Sequence, residues 1–286
     1  MSEFSRFGIV GTSRKVGEHR IPIHPEHFDR IPGFVARRLV FERGYGERFG
    51  IPDSVLEKRF GGVATRAELL GECDGVLLPK PTVEDMLELR EGGILWGWPH
   101  CVQQQEITDV AVDRGQTVLA FESMFLWSDG SKGMHLFYRN NELAGYCAVL
   151  HALSLRGETG HFGRPLRATV VSFGSVSRGA IRALQGLGVH DFEVYTLRPP
   201  WTVGDRMAGG LYGRIVREAD GSVHVLEPDG THRELVEAFA DADVIVNGIL
   251  QDTDDPIMYM QEGDEDRLRP GSLIVDVSCD LGMGFP

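Results

Sequence analysis

Residues 168–198 constrain the fold more than any other stretch. An apolar run, a glycine-bearing turn, an amphipathic segment and a second apolar run follow in immediate succession. This is the pattern of a βαβ unit in a doubly wound sheet. Gly174 permits close backbone approach to a pyrophosphate, and a helix starting near Ser177 turns its N–H groups and positive dipole end toward the same anion. The turn reads Ser172-Phe173-Gly174-Ser175-Val176-Ser177, with Gly179 beyond it, so small residues replace two glycines of the usual dinucleotide fingerprint. Arg198 ends the second strand, where an NAD-binding unit places an acid, and predicts a site tuned to the 2′-phosphate of NADP(H). Gly174, Ser175, Val176, Ser177 and Arg198 are the expected cofactor contacts. An ordinary βαβ turn is the competing reading.

The 286 residues suffice for two domains, and 42% apolar with 25% charged residues is a globular composition. A formal charge of −13 argues against a nucleic-acid partner, because phosphate backbones require clustered Lys and Arg. Cys73, Cys101, Cys147 and Cys279 are widely spaced, which predicts reduced thiols in a cytoplasmic protein. The N-terminus has no signal-peptide pattern, and no run approaches a membrane span of ~20 apolar residues.

From Phe7 to Phe121 the apolar runs at 7–11, 39–42, 75–79, 93–98 and 117–122 alternate with amphipathic stretches at 83–90 and 106–114. That rhythm predicts parallel strands with crossover helices. Residues 142–156 read as a long helix, and 157–165 as a polar glycine-rich connector. Strands at 244–250 and 272–278 continue the second domain and bring Asn247, Ser278 and Asp280 toward the cofactor. The expected architecture is α/β, with two Rossmann-like doubly wound parallel-sheet domains separated by a cleft. Residues 1–141 form a substrate-binding domain, 142–165 the interdomain helix and connector, and 166–286 an NADP-binding Rossmann domain. Residues 217–235 read as an inserted hairpin turning at Asp229-Gly230. The acidic stretches 252–256 and 262–267 read as solvated loops.

Lys80 follows a strand between two prolines, and His100 closes another strand. At a strand's C-terminal end each can face a ligand, although an exposed lysine and a backbone-bonded histidine fit the same positions. Glu122 is a weaker candidate at the end of the next strand. The His24-Pro25-Glu26-His27 run lacks the helical spacing of paired metal-ligating histidines, because a proline interrupts it, so no metal is expected. Trp96 and Trp98 read as core and pocket wall.

Segments 17–27, 41–51, 77–81, 97–103, 138–145, 171–180 and 275–282 resemble the alanine dehydrogenase and transhydrogenase superfamily. The specific motifs are Gly97-Trp98-Pro99-His100 with Val102-Gln103, Arg139-Asn140-Asn141-Glu142 with Ala144-Gly145, and Asp276 with Ser278-Cys279-Asp280. Within that superfamily the chain is more similar to the N5-(carboxyethyl)ornithine synthase branch, which the form of its glycine turn fits better than that of the alanine dehydrogenases.

The resemblance implies that Arg20 binds a substrate carboxylate, Lys80 binds substrate, His100 serves as acid/base, and Asp280 is an active-site aspartate. Each role matches the residue's chemistry. Arg20 offers a bidentate fork, Lys80 a point charge for a keto oxygen, and His100 a proton near neutral pH. Asp280 either holds an ammonium, orients His100 or Lys80, or caps a strand. Asn140 is either the N-cap of the long helix or a contact to a second amino acid.

The implied reaction joins a 2-oxo acid such as pyruvate to the amine of ornithine, lysine or a related amino acid by imine reduction with NADPH. An ammonia-using alanine dehydrogenase, a saccharopine dehydrogenase-type enzyme and a non-catalytic NADP-binding module are the rivals. A homo-oligomer is a family expectation. The chain is also expected to lack the segment that returns to the first domain after Pro286.

Overall fold

The computed structural model describes residues 6–218, 221–249, 251, 255–278 and 283–286. The chain divides into two compact units, Met1–Leu136 and Phe137–Pro286.

The first unit contains β1 (Phe7–Ile9), α1 (Gly33–Ala36), β2 (Leu39–Glu42), α2 (Asp53–Arg59), β3 (Gly62–Ala64), α3 (Arg66–Glu72) and β4 (Gly75–Leu77). It continues with α4 (Val83–Glu88), β5 (Ile94–Gly97), α5 (Gln105–Asp113), β6 (Thr117–Ala120), β7 (Phe125–Ser128) and β8 (Ser131–His135). Its main sheet is wholly parallel in the order β3-β2-β1-β4-β5-β6. The order reverses between β1 and β4, the point at which open α/β sheets leave a crevice at their C-terminal edge. β2 is buried along its whole length, as a parallel sheet covered on both faces requires.

Local sequence fixes the crossovers. Thr65 with Glu68 and Thr82 with Asp85 form capping boxes at the starts of α3 and α4. Val40, Leu69, Val76, Leu78 and Leu95 fill the core beneath them. Each buried aliphatic side chain there contributes roughly 2 kcal/mol. β7 and β8 form a separate antiparallel hairpin.

The second unit contains α6 (Tyr138–Arg156), β9 (Arg167–Val171), α7 (Ser175–Gly186), β10 (Asp191–Thr196), β11 (Gly210–Arg217), β12 (Val223–Leu226), β13 (His232–Glu234), α8 (Leu235–Phe239), β14 (Val244–Asn247) and β15 (Leu273–Asp276). Its sheet runs β13-β12-β11-β10-β9-β14-β15, with the last five strands in that order parallel and β12 and β13 antiparallel. The expected hairpin at 217–235 is therefore a meander that extends the edge of the nucleotide-type sheet. It is tied down by Tyr195, whose hydroxyl lies 2.7 Å from Glu193 Oε2 and 2.9 Å from Glu227 Oε1 and accepts from Arg233 Nη2 at 2.6 Å. A buried polar cluster of this kind is tolerated because its members satisfy one another.

Two helix starts differ from expectation. α6 begins at Tyr138 with Phe137 at its N-cap and no side-chain capping bond, so Asn140 lies inside the first turn and is not the cap. α7 begins at Ser175, with Gly174 at the N-cap. α6 is not a free-standing connector, because it packs closely on α7 within the second unit. A Cβ on Gly179 would lie 1.7 Å from the Glu142 carbonyl oxygen, and one on Gly145 would lie 1.9 Å from that of Val176. The two glycines let the helix backbones touch. Among the described residues, no helix is long and apolar enough to cross a membrane.

Candidate active site

The first unit gathers ionisable groups beyond the C-terminal ends of its strands. Gly97 makes this convergence possible, since a Cβ there would lie 2.0 Å from the Leu78 carbonyl oxygen. The ends of β4 and β5 therefore approach closely, and Trp98 N donates to the Pro79 carbonyl at 2.8 Å. Beyond these ends Lys80 Nζ and His100 Nε2 stand 2.5 Å apart.

His100 adopts a left-handed backbone conformation, φ 51°, which costs a residue other than glycine about 1 kcal/mol or more. Its N–H donates to Glu122 Oε1 at 2.7 Å, a charge-assisted bond that holds this conformation. The other carboxylate oxygen of Glu122 is buried with no hydrogen-bond partner among the described residues. Glu122 thus joins the Lys80–His100 pair as a positioning group with one oxygen still to be satisfied.

Arg20 lies in the loop after β1. Its guanidinium sits 5.0 Å from the centre of the Trp98 ring and donates through Nε and Nη2 to both oxygens of Glu18, at 2.9 and 2.5 Å. The hydrogen bonds from Arg20 hold the Glu18 carboxyl down at about 2. A carboxylate ligand at Arg20 must use the guanidinium edge that Glu18 does not occupy, or displace Glu18.

Burial first, and then the charges of Lys15 and Arg20, lower Lys80 from 10.5 to about 8, against the opposing pull of Glu122 and Glu18. At neutral pH Lys80 is therefore close to surrendering its proton, and His100 Nε2 is within exchange distance. Sequence reasoning proposed Lys80, His100, Arg20 and Glu122, of which the structure brings Lys80, His100 and Glu122 together and places Arg20 on the Trp98 ring. It missed Glu18, whose signal was an acid two residues before the arginine, and Gly97, whose partner is remote in sequence.

In the second unit Gly174 is extended, φ −84°, and a Cβ there would meet only Ser172 Oγ, at 3.6 Å. Neither backbone strain nor packing within the chain requires glycine at this position. The open side of the turn leaves room for the close approach of an anion such as a pyrophosphate. The N–H groups of Ser175, Val176 and Ser177 open α7, where no side chain caps them. Arg198 Nη2 donates to the Phe173 carbonyl at 3.2 Å, which puts the guanidinium at this turn and fits a ribose 2′-phosphate.

Other expected contacts have committed side chains. Ser177 is wholly buried, and its hydroxyl donates to the Val171 carbonyl at 3.1 Å, so it supports the turn from within. Asn247 donates to Asp276 Oδ1 at 2.9 Å and accepts from Ile249 N at 3.3 Å. The Ser278 hydroxyl donates to the Ile249 carbonyl at 2.5 Å. These residues shape the ends of β14 and β15. Asp280 and Cys279 lie outside the described residues. His24 caps the short 3-10 turn Pro25–Arg30, accepting from Glu26 N at 3.3 Å.

Two doubly wound units, one with an ionisable cluster at its strand ends and one with a glycine turn, define a Rossmann-type architecture. Residues 9–144 match the family model described as alanine dehydrogenase/PNT, N-terminal domain. The chain is 24% identical to an N(5)-(carboxyethyl)ornithine synthase of Clostridium botulinum, over 94% of this chain and 75% of the relative. It is 26% identical to an alanine dehydrogenase of Halomonas elongata, over 94% and 71% of the two chains. Among solved structures, a transhydrogenase from Sinorhizobium meliloti aligns at a TM-score of 0.67 and 20% identity, over 94% of this chain and 76% of that one. An L-alanine dehydrogenase aligns at 0.67 and 17% identity, over 95% and 73%.

Proposed function

We infer that the protein is an oxidoreductase of the amino-acid dehydrogenase and carboxyethylornithine synthase type. In the finer form of this reading, it condenses a 2-oxo acid with the amino group of an ornithine- or lysine-like amino acid and reduces the resulting imine with NADPH. The observation that carries the chemistry is the 2.5 Å Lys80–His100 pair beside Arg20's partner Glu18 and the half-satisfied Glu122.

Arg20 binds the oxo acid's carboxylate. Lys80 polarises the keto oxygen, so that the amine adds to the carbon. His100 donates a proton to the departing hydroxyl, water leaves, and the imine forms. Glu122 holds His100 in place, and Asn140 and Asp280 serve the amino-acid partner. The Gly174–Ser177 turn would hold NADPH, with Arg198 at its 2′-phosphate, and the bound cofactor would supply the hydride for the imine carbon. The similarity to the synthase relative supports an amino acid as the amine, and the alanine dehydrogenase relatives make ammonia the competing one.

The test is NADPH oxidation with pyruvate and, in turn, ornithine, lysine or ammonium. Turnover with a diamino acid alone is expected. Turnover with ammonium alone would replace the synthase reading by the dehydrogenase one, and NADPH binding without turnover would remove the catalytic reading. Replacement of His100 by Ala should lower turnover by at least about a hundredfold, within the usual range for a general acid, and leave NADPH affinity unchanged.

A further inference from the structure

The connection from β10 to β11 is unusual for a doubly wound sheet. Where a crossover helix would cover the sheet face, residues 197–209 supply only the 3-10 turn Pro200–Thr202. The face of β11 and β12 left beside this loop forms a cavity of about 500 Å³. Trp201, Leu211 and Pro228 give it an aromatic and apolar wall, and Arg206 and Arg214 give it positive charge.

Three features distinguish this cavity from a gap in packing. Arg214 has no ion-pair partner among the described residues, and its Nε is buried without a hydrogen-bond partner. Glu227, the carboxylate in the wall, does not neutralise Arg214, because it is engaged by Tyr195 and by Arg233 Nε at 2.7 Å. Trp201 is 74% exposed at the rim, where a flat ring can stack on it. An arginine in a partly desolvated wall with no carboxylate partner favours an anion that enters the cavity. The volume lies within the range of ordinary small-molecule sites.

We propose that this cavity is a second ligand site, which binds an organic anion consisting of a phosphate or carboxylate attached to a planar ring. The anion pairs with Arg214 and Arg206, and the ring lies on Trp201. None of Gly174, Ser175, Val176, Ser177 or Arg198 lines the cavity, so the site is separate from the nucleotide turn. It is mechanically connected to that turn. Tyr212, in the cavity wall, lies 5.4 Å below the Arg206 guanidinium and packs edge-on against Phe173 at 5.1 Å. Arg178 of α7 grips the loop beneath Arg206 by donating to the Gly204 and Asp205 carbonyls at 2.7 and 3.0 Å. Ligand binding at Arg206 therefore bears on the turn that holds the cofactor.

The test is calorimetric titration of the whole chain with adenosine 5′-monophosphate, indole-3-acetate and inorganic phosphate, with and without saturating NADPH. One ring-bearing probe should bind one-to-one to the NADPH-saturated protein, at least about tenfold more tightly than phosphate alone. Which probe binds distinguishes a nucleotide from an aromatic carboxylate. Arg214→Met and Trp201→Ala should each weaken that probe by about tenfold or more, leave NADPH affinity within about twofold, and leave the thermal midpoint no lower for Arg214→Met. No probe binding to the NADPH-saturated protein would overturn the proposal. Undiminished probe binding in Arg214→Met would do the same, as would a parallel loss of NADPH affinity in that variant. A chain that binds no NADPH refutes the functional reading alone, since the titrations without cofactor still report on this cavity.

Discussion

Lys80 gives the sharpest quantitative expectation. Its ammonium is lowered from 10.5 to about 8, first by burial and then by Lys15 and Arg20. At 1.36 kcal/mol per unit, that difference corresponds to about 3 kcal/mol of penalty on the charged form. Lys80 is only partly buried, and solvent screening reduces the usable figure to about 1–2 kcal/mol. The sign follows from proton counting. Below about 8 both folded and unfolded chains hold the proton, and the folded chain bears the full penalty. Between about 8 and 10.5 the unfolded chain binds more protons than the folded one, so stability rises with pH. In Lys80→Met this dependence is absent.

The stability difference between variant and parent, measured by urea unfolding, should therefore shift in the parent's favour by about 1–2 kcal/mol from near pH 7 to near pH 10. Tyr45 and Tyr259, both raised by burial, titrate alike in the two proteins and cancel in the difference. Packing lost with the lysine side chain adds a constant and does not change the slope. Lys15→Met should move the Lys80 midpoint back toward 10.5. Stability curves for Lys80→Met and parent that stay parallel across this range would refute the account of a desolvated, charge-crowded lysine.

Two further outcomes follow from the second unit. Gly179→Ala puts a Cβ 1.7 Å from the Glu142 carbonyl oxygen, and neither helix backbone can yield without parting α6 from α7, so unfolding should be easier by about 3 kcal/mol or more. A chemical melt within about 0.5 kcal/mol of the parent would show that the helices separate freely. Arg198→Leu removes the guanidinium now bonded to the Phe173 carbonyl, and NADPH affinity should fall about tenfold while NADH affinity stays constant. Equal losses for both cofactors, measured by fluorescence titration, would place Arg198 away from the 2′-phosphate.

Most strands were legible because a parallel strand buried on both faces reads as a plain apolar run. β2, β9 and β14 are of this kind, with at least four buried residues each. The short, half-buried β3 and the exposed β7–β8 hairpin give no such run and were not read. The starts of α6 and α7 were less legible for a local reason. Neither helix has a side-chain N-cap, and the polar quartet Arg139-Asn140-Asn141-Glu142 conceals a first turn that begins at Tyr138. Lys80 and His100 could be proposed from position, since each follows a strand, whereas Arg20 came from the family resemblance with the chemistry of its guanidinium fork in agreement. Their partners were harder to see. Glu18 is two residues from Arg20, but nothing in the spacing says that its carboxylate takes the arginine's fork. Gly97 and Gly179 matter through backbones far away in sequence, and a single sequence cannot report such an approach.

The same limit separates backbone from side-chain function at the nucleotide turn. Asn247 and Ser278 were expected at the cofactor because strand ends face the crevice, and the structure uses their polar atoms to tie β14 and the loop that follows it to the end of β15. Ser177 similarly spends its hydroxyl on Val171. What remains exposed to an anion is backbone N–H at the head of α7 together with the Arg198 guanidinium. Cofactor affinity at such a site depends on the geometry of the turn more than on the identity of its small residues. Serine can therefore stand where other dinucleotide turns have glycine, while Gly174, whose Cβ would meet only Ser172 Oγ at 3.6 Å, leaves room for the close approach of an anion.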